Sequence, residues 1–512
     1  MKNKFLYFFS IVALAISCSP EQKQQTKPNV LLIIADDLGY GDVSAYGNSM
    51  INTPNIDKLA NGGVCFTDGH STSSTCSPSR YALFTGMYPW KNRKAKILPG
   101  NAPLLIGENQ FTIGKMFQSK GYKTAAIGKW HMGMGKGNPD WNSTVTPGAK
   151  EVGFDYSYLI AATCDRVPTA FIENGNVANL AKGDSMFVDY IHPFPGEPTA
   201  ITNPELMTKQ QGTNNDHHDT VINGIPRIGF MKGGRSACWV DENIADTLLI
   251  HAENFVTENK NQPFFLYYGL HEPHVPRVPN HRFNGKSGMG VRGDAIIEAD
   301  WCVGEILDHL EKEGVLDNTL IIFSSDNGPV LDDGYADQAR ELLNGDDPNG
   351  GFRGGKYSLY EAGTRVPFFV YWKGHIKHVV SDATVNQLDL IASLTHLVGA
   401  DVPEGLDSKN FIDTFMGKST KGRKSMIMEA MQRLALRSGD YDLIPPYKGP
   451  VYDVTKIELA NLPQFTLFNI KEDPAQTKQI QDENPDILNK LKAKFLKITK
   501  GYYHSGLAPK EN

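Results

Sequence analysis

Cysteine is scarce, with 6 residues in 512. Setting aside Cys18, the remaining Cys65, Cys76, Cys164, Cys238 and Cys302 are odd in number and show no paired spacing, which excludes a disulfide framework. Charge of one sign is lacking too. Lysine and arginine (51) nearly balance aspartate and glutamate (57), leaving a net charge of −6. Such a balance gives no global attraction to nucleic acid, so any anion site must be built locally. Low-complexity tracts and internal repeats are missing, which removes solenoids and disordered linkers from consideration. What is present is an ordinary globular composition. At this length one compact core does not suffice, and a large domain with a smaller companion is expected.

Long apolar runs are also missing, with one short exception. Lys2 and Lys4 precede Phe5 to Ile16, too short for a spanning helix but suited to a secretory leader. The run ends in Ala15-Ile16-Ser17-Cys18, which resembles a bacterial lipobox. Residues 1–18 are therefore expected to be a leader with lipidation at Cys18, the alternative being simple cleavage. Residues 19–27 then form a polar tether.

Several apolar runs read as strands buried on both faces, the mark of a parallel sheet covered by helices. Each delivers chemically loaded residues at its C-terminal end. Val30 to Ile34 delivers Asp36-Asp37, and Thr124 to Ile127 delivers Lys129 and His131. Phe264 to Tyr268 delivers His271 and His274, and Leu320 to Phe323 delivers Asp326-Asn327. Ligands in such folds bind beyond the carboxyl ends of the strands. Helical spacing runs from Asp294 to Glu311 and from Ile113 to Lys120, with Gly121 as a C-cap. Residues 184–225 are irregular and long enough to be a functional insertion. Phe368 to Trp372 reads as the last strand of the sheet.

The expected fold class is α/β: a large doubly wound, mostly parallel mixed sheet flanked by helices over residues 28–398. Residues 399–512 are expected to form a small α+β part. Strand-like pieces at Ser425 to Met428 and Gln464 to Asn469 give it an antiparallel sheet. One helix follows Asn484-Pro485, capped by Asn484, with Ile487, Leu491, Phe495 and Ile498 on one face.

The densest signal is Cys76-Ser77-Pro78-Ser79-Arg80 followed by Thr85-Gly86. A polar approach and a first-turn proline place Cys76 at a helix N-terminus, where free N–H groups favour anions. Arg80 adds a fixed cation one turn on. Adjacent carboxylates at Asp36-Asp37 with Asp326-Asn327 give an oxygen-donor set for a hard divalent cation rather than zinc. Gly128-Lys129-Trp130-His131-Met132-Gly133 puts two titratable groups at alternating positions around a tryptophan, which in an extended segment would face one side. Pro273-His274-Val275-Pro276 and Arg353-Gly354-Gly355-Lys356 complete the set. Glycines there allow close backbone approach, letting Lys356 enter a crowded pocket.

These motifs, in this order, resemble those of the type I sulfatases, and the resemblance covers nearly all of the large domain. The one departure, Phe84 before Thr85, changes a packing residue. The resemblance implies that Cys76 is oxidised to formylglycine by a separate maturation enzyme. It implies a calcium ion on Asp36, Asp37, Asp326, Asn327 and the modified Cys76. It also implies that Arg80, Lys129 and Lys356 stabilise the sulfuryl oxygens, while one hydroxyl of hydrated formylglycine attacks sulfur. His274, chosen over His271 by motif position, protonates the leaving oxygen, with Lys356 as a possible aid. His131 takes a proton from the second hydroxyl so that sulfate departs and the aldehyde returns.

For the substrate, Asp165-Arg166 suits forked hydrogen bonds to sugar hydroxyls, and a structural ion pair is the equal alternative. Val221 to Trp239 resembles sulfatases that remove 6-O-sulfate from galactose or N-acetylgalactosamine. A sulfated glycan is the expected partner, with no nucleic acid. The expected location is the periplasm or outer membrane of a Gram-negative bacterium. A phosphodiesterase or phosphonate hydrolase of the same fold, with paired zinc, and a catalytically lapsed glycan-binding lipoprotein are the competing readings.

Overall fold

The structure, a computed structural model, describes residues 27–503 apart from 49, 214 and 215. The leader, Cys18 and tether residues 19–26 lie outside the described residues. No helix among those described is long and apolar enough to cross a membrane.

A ten-stranded sheet forms the frame. In chain order its strands are β1 (Asn29–Ala35), β2 (Val64–Phe66), β3 (Lys123–Lys129), β4 (Tyr156–Ile160), β5 (Phe171–Glu173), β6 (Asn176–Val177), β7 (Phe264–Gly269), β8 (Thr319–Ser325), β9 (Phe368–Tyr371) and β10 (Val379–Ser381). In space the order is β10-β2-β9-β8-β1-β7-β3-β4-β5-β6. The central five, β8-β1-β7-β3-β4, run parallel, and antiparallel partners flank them. Strand β9 stops at Tyr371, and it is not the last: β10 follows and pairs with β2 at the sheet's edge.

Alternate residues of β1 explain why its run is apolar throughout. Val30, Leu32 and Ile34 enter one core with Phe117 and Leu394, whereas Leu31, Ile33 and Ala35 enter the other with Leu248 and Val303. Helices α1 (Pro54–Gly62), α4 (Ile244–Asn259) and α5 (Gly290–Lys312) pack on the second face. Helices α2 (Cys76–Thr85), α3 (Ile113–Ser119) and α6 (Leu390–Leu397) pack on the first. Such two-sided burial makes every position apolar.

The C-terminal part is a four-stranded antiparallel sheet: β11 (Met426–Ala430), β12 (Arg433–Ser438), β13 (Tyr441–Ile444) and β14 (Thr466–Asn469). Helix α7 (Pro485–Ile498) covers it through Leu491 and Phe495, which meet Leu434, Leu436 and Leu467. Asn484 precedes α7, but its side chain does not cap: the amide donates to the Ile480 carbonyl, and Pro485 has no N–H to need one.

Candidate active site

Four parallel strands end side by side, and their next residues meet. Asp36 and Asp37 leave β1, Lys129 closes β3, His274 follows β7, and Asp326 and Asn327 leave β8. The backbone ties these ends together, with the Asp36 N–H on the Glu272 carbonyl (3.0 Å) and that of Asp326 on the Ala35 carbonyl (3.1 Å). Helix α2 aims its N-terminus at this floor. Cys76 is its first residue and 2% exposed, and Gly86 ends it in the left-handed region, φ 68°. Phe84 packs on Trp130 and Tyr267, a core role as its position in the motif implied.

Ligand atoms of Asp36, Asp37, Cys76 and His274 all lie within 4.8 Å of one another. Three cations hold the carboxylates. Lys129 Nζ sits 2.5 Å from Asp36 Oδ1 and 3.3 Å from Asp326 Oδ2. Arg80 Nε donates to Asp326 Oδ2 at 2.8 Å, and its Nη1 reaches the Lys129 carbonyl and Tyr267 hydroxyl. Lys356 Nζ bridges Asp37 Oδ2 (2.8 Å) and Asp333 Oδ2 (2.9 Å). Burial, with the neighbouring carboxylates, pushes Asp36 well up, and burial raises Asp37 despite Lys356. Asp326 is held below the usual carboxylate range because Lys129 and Arg80 outweigh its burial.

An oxygen-rich, acid-raised floor fits a hard cation. Asn327 carries the clearest sign: its amide donates to Asp37 Oδ1 (2.7 Å), while its buried Oδ1 has no partner. An orphaned carbonyl oxygen beside three carboxylates is the donor set calcium takes. A second cluster, Asp68, His70 and Glu361, differs. Arg365 and Arg437 already neutralise it, at 2.9 and 3.2 Å from Glu361, so it is an internal ion network.

The floor opens into a cavity of about 680 Å³ lined by Cys76, His131, Asp165, Arg166, His274 and Lys356, among others. Arg80 and Lys129 are not on its wall and lie beneath it, on Asp326 and Asp36. Lys129 and His131 both reach the site, though not by strand alternation. The chain turns into the left-handed region at His131 (φ 54°), and Trp130 is buried with its indole N–H donating to the Gly133 carbonyl. Asp37 (φ 63°) and Tyr357 (φ 72°) share that strained conformation, which concentrates at functional sites.

The two histidines differ in their free nitrogen. His131 Nε2 meets the Leu98 carbonyl at 2.9 Å, so it carries the proton and leaves the buried Nδ1 lone pair without a partner. His274 Nδ1 meets the Val275 carbonyl at 2.7 Å, which leaves Nε2 toward Asp37 at 3.7 Å. Burial and nearby lysines depress both, His131 through Lys129 and His274 through Lys356. His271 is turned elsewhere, 2.9 Å from Glu272, and is raised by that carboxylate against its burial. Burial drives the Cys76 thiol up to about 12, so it is not a thiolate at neutral pH.

Asp165 and Arg166 satisfy both readings of their sequence: they pair at 3.0 Å and they line the cavity. His217, which the sequence did not single out, joins them 3.2 Å from Asp165 Oδ2. It comes from the irregular insertion. Asp333 and Tyr267 were likewise missed, since an aspartate in a loop and a tyrosine in a strand carry no motif.

Sheet, helix N-terminus and carboxylate floor together define a hydrolase of sulfate esters, and the chain belongs to the sulfatase family, whose model matches residues 28–400. Among its relatives is a Bacteroides thetaiotaomicron N-acetylgalactosamine-6-O-sulfatase, 44% identical over 96% of this chain and 98% of that one. Bovine arylsulfatase A is 29% identical over 90% of this chain and 84% of its own length. A solved structure concerned with the metabolism of multiple glycosaminoglycans by Bacteroides thetaiotaomicron superposes with a TM-score of 0.90 at 44% identity. It covers 92% of this chain and 99% of the other.

Proposed function

We propose that this sulfatase removes 6-O-sulfate from galactose or N-acetylgalactosamine in glycans, using a formylglycine derived from Cys76 and one calcium ion. The observation that carries the reading is the gathering of Asp36, Asp37, Cys76 and His274 at the foot of a cavity walled by Asp165, Arg166 and His217. Similarity to the N-acetylgalactosamine-6-O-sulfatase supports the choice of sugar.

Asp36, Asp37, Asp326 and Asn327 would hold the calcium, which when bound polarises sulfuryl and nucleophile oxygens as a Lewis acid. Cys76, once converted to formylglycine, would supply as the hydrate one hydroxyl for attack and a second through which sulfate could be expelled, chemistry a thiol or serine lacks. Arg80 and Lys129 fix Asp326 and Asp36 from below, so the floor needs no reorganisation during reaction. Lys356, pinned by Asp333, offsets charge on the sulfate from the cavity side. His131 accepts a proton at Nδ1, its unpartnered position. His274 delivers a proton from Nε2 to the leaving alcohol. Its depressed basicity keeps it neutral in the free chain, and an arriving sulfate monoester adds the negative charge that favours its protonated form. Asp165 accepts from sugar hydroxyls while Arg166 donates to them.

The same proposal includes export to the periplasm or tethering at the outer membrane through Cys18, where glycans are met. It also includes a maturation enzyme acting on Cys76. Sulfate release from 6-sulfated N-acetylgalactosamine, galactose and N-acetylglucosamine tests it. Release from the galacto sugars is expected, and release from the glucosamine alone would contradict it.

A further inference from the structure

The cavity's outer wall comes from the C-terminal sheet, where Arg433 opens β12. Buried arginines elsewhere in the described residues rest on carboxylates: Arg80 on Asp326, Arg227 on Asp241, Arg292 on Asp42. Arg433 is 5% exposed and, among the described residues, has no carboxylate within ion-pair distance. Its Nη1 donates to the Leu459 carbonyl (2.7 Å) and Asn461 Oδ1 (2.8 Å), and its Nη2 to the Tyr357 carbonyl (2.7 Å). All three acceptors are neutral. Nε–H and one Nη2–H find no protein acceptor among the described residues, so two of the five donors are free for a ligand.

Nearby acids, Glu429 and Asp453, act on Arg433 only through space, and neither pairs with it directly. Glu429 commits its oxygens to the Ser73 hydroxyl and the Gln432 N–H. Asp453 Oδ1 accepts from Thr455 and Ile457. Burial outweighs the distant pull of Glu429 and Asp453 and takes Arg433 below the ordinary guanidinium value. Holding a guanidinium out of water with only neutral hydrogen-bond partners is unfavourable, and a ligand anion in direct contact relieves it. Lys96 and Lys448, both exposed, line the same cavity.

We propose that Arg433, with Lys96 and Lys448 at the rim, is an anion subsite for a carboxylate or second sulfate on the sugar adjoining the one that loses its sulfate. The subsite rests on the glycan-sulfatase reading above and specifies its substrate as an acidic oligosaccharide. The planar guanidinium suits forked contacts to either oxyanion.

The test uses matured enzyme and pairs of 6-sulfated disaccharides differing only in the neighbouring sugar: a uronate against its carboxyl-reduced hexose, and a sulfated hexose against the plain one. Wild type should favour the anionic member by about tenfold or more in kcat/KM, mainly through KM, and less so at high salt. The pair that shows the preference identifies carboxylate or sulfate. Arg433→Gln should bring that ratio toward one, and Arg433→Lys should restore part of it. No preference in wild type overturns the proposal, and needs no variant. Equal losses on both members in Arg433→Gln also overturn it, since Arg433 would then only anchor the Tyr357 turn. If wild type releases no sulfate from any of these substrates, the 6-O-sulfated sugar reading fails. Calorimetric titration with the desulfated uronate disaccharide and its reduced counterpart then decides the subsite alone. Selective binding of the acid, lost in Arg433→Gln, supports it, and equal or absent binding overturns it.

Discussion

At the scale of single residues, chemistry is set by which atom is left over once local hydrogen bonds are made. His131 spends Nε2 on a backbone carbonyl and keeps Nδ1 bare. Burial and Lys129 depress it well below the ordinary 6.5, so it stays a competent base into mildly acidic solution. Protonation as pH falls through that lowered value removes the base. The acid limb of kcat should therefore have its midpoint below 6.5, and His131→Ala should lower kcat about 10²–10⁴-fold with the fold intact. An unchanged kcat would remove His131 from the chemistry. The motif residues were legible because their side-chain types and order are distinctive. His217, Asp333 and Arg433 were not. Each matters only through a partner distant in sequence: Asp165, Lys356 and the Tyr357 carbonyl.

At the scale of elements, β11 connects the C-terminal sheet to the segment leading into Cys76. Glu429 accepts from the Ser73 hydroxyl, and its carbonyl accepts from the Ser74 N–H at 2.8 Å, two residues before Cys76. Burial raises the Glu429 carboxyl from 4.5 to about 7. A raised acid binds more protons folded than unfolded, so its contribution to stability is full below pH 4.5 and is lost as pH climbs through 7. Glu429→Gln lacks that loss and should gain on wild type by up to about 3 kcal/mol between pH 4.5 and 8 in denaturant titrations. Parallel pH profiles would contradict the assignment. Central strands were readable because burial on both faces makes whole runs apolar. Strand β12 was not, since Arg433 and Arg437 break the apolar run. Their guanidiniums find partners that only the assembled fold supplies, such as Glu361 for Arg437. The close passage of β3 against β7 was equally silent. Gly128 lies at φ 97°, where a Cβ would stand 1.8 Å from the Gly269 oxygen, and although it opens a motif in the sequence, nothing there names Gly269 as its neighbour.

At the scale of the whole molecule, two sheets close one cavity. The large sheet supplies the floor with Asp165 and Arg166 on the wall, and the C-terminal sheet supplies the outer wall with Arg433. Calcium binding to the floor should stabilise the entire fold by mass action, about 2.7 kcal/mol at one hundred times its Kd. Because Asp36 and Asp37 are raised, binding should release protons and tighten as pH rises. Thermal melts of chelated protein with and without added calcium check this. An identical Tm in both, or an equal rise in Asp326→Asn, would argue against the site.

The central claim is that Cys76 is a precursor and not the working group. The mass of the tryptic peptide containing Cys76, taken from protein matured in its native host, tests it most directly. Conversion to formylglycine predicts a peptide lighter by about 18 Da, with activity tracking the converted fraction. An active preparation whose peptide keeps the mass of unmodified cysteine would contradict the account.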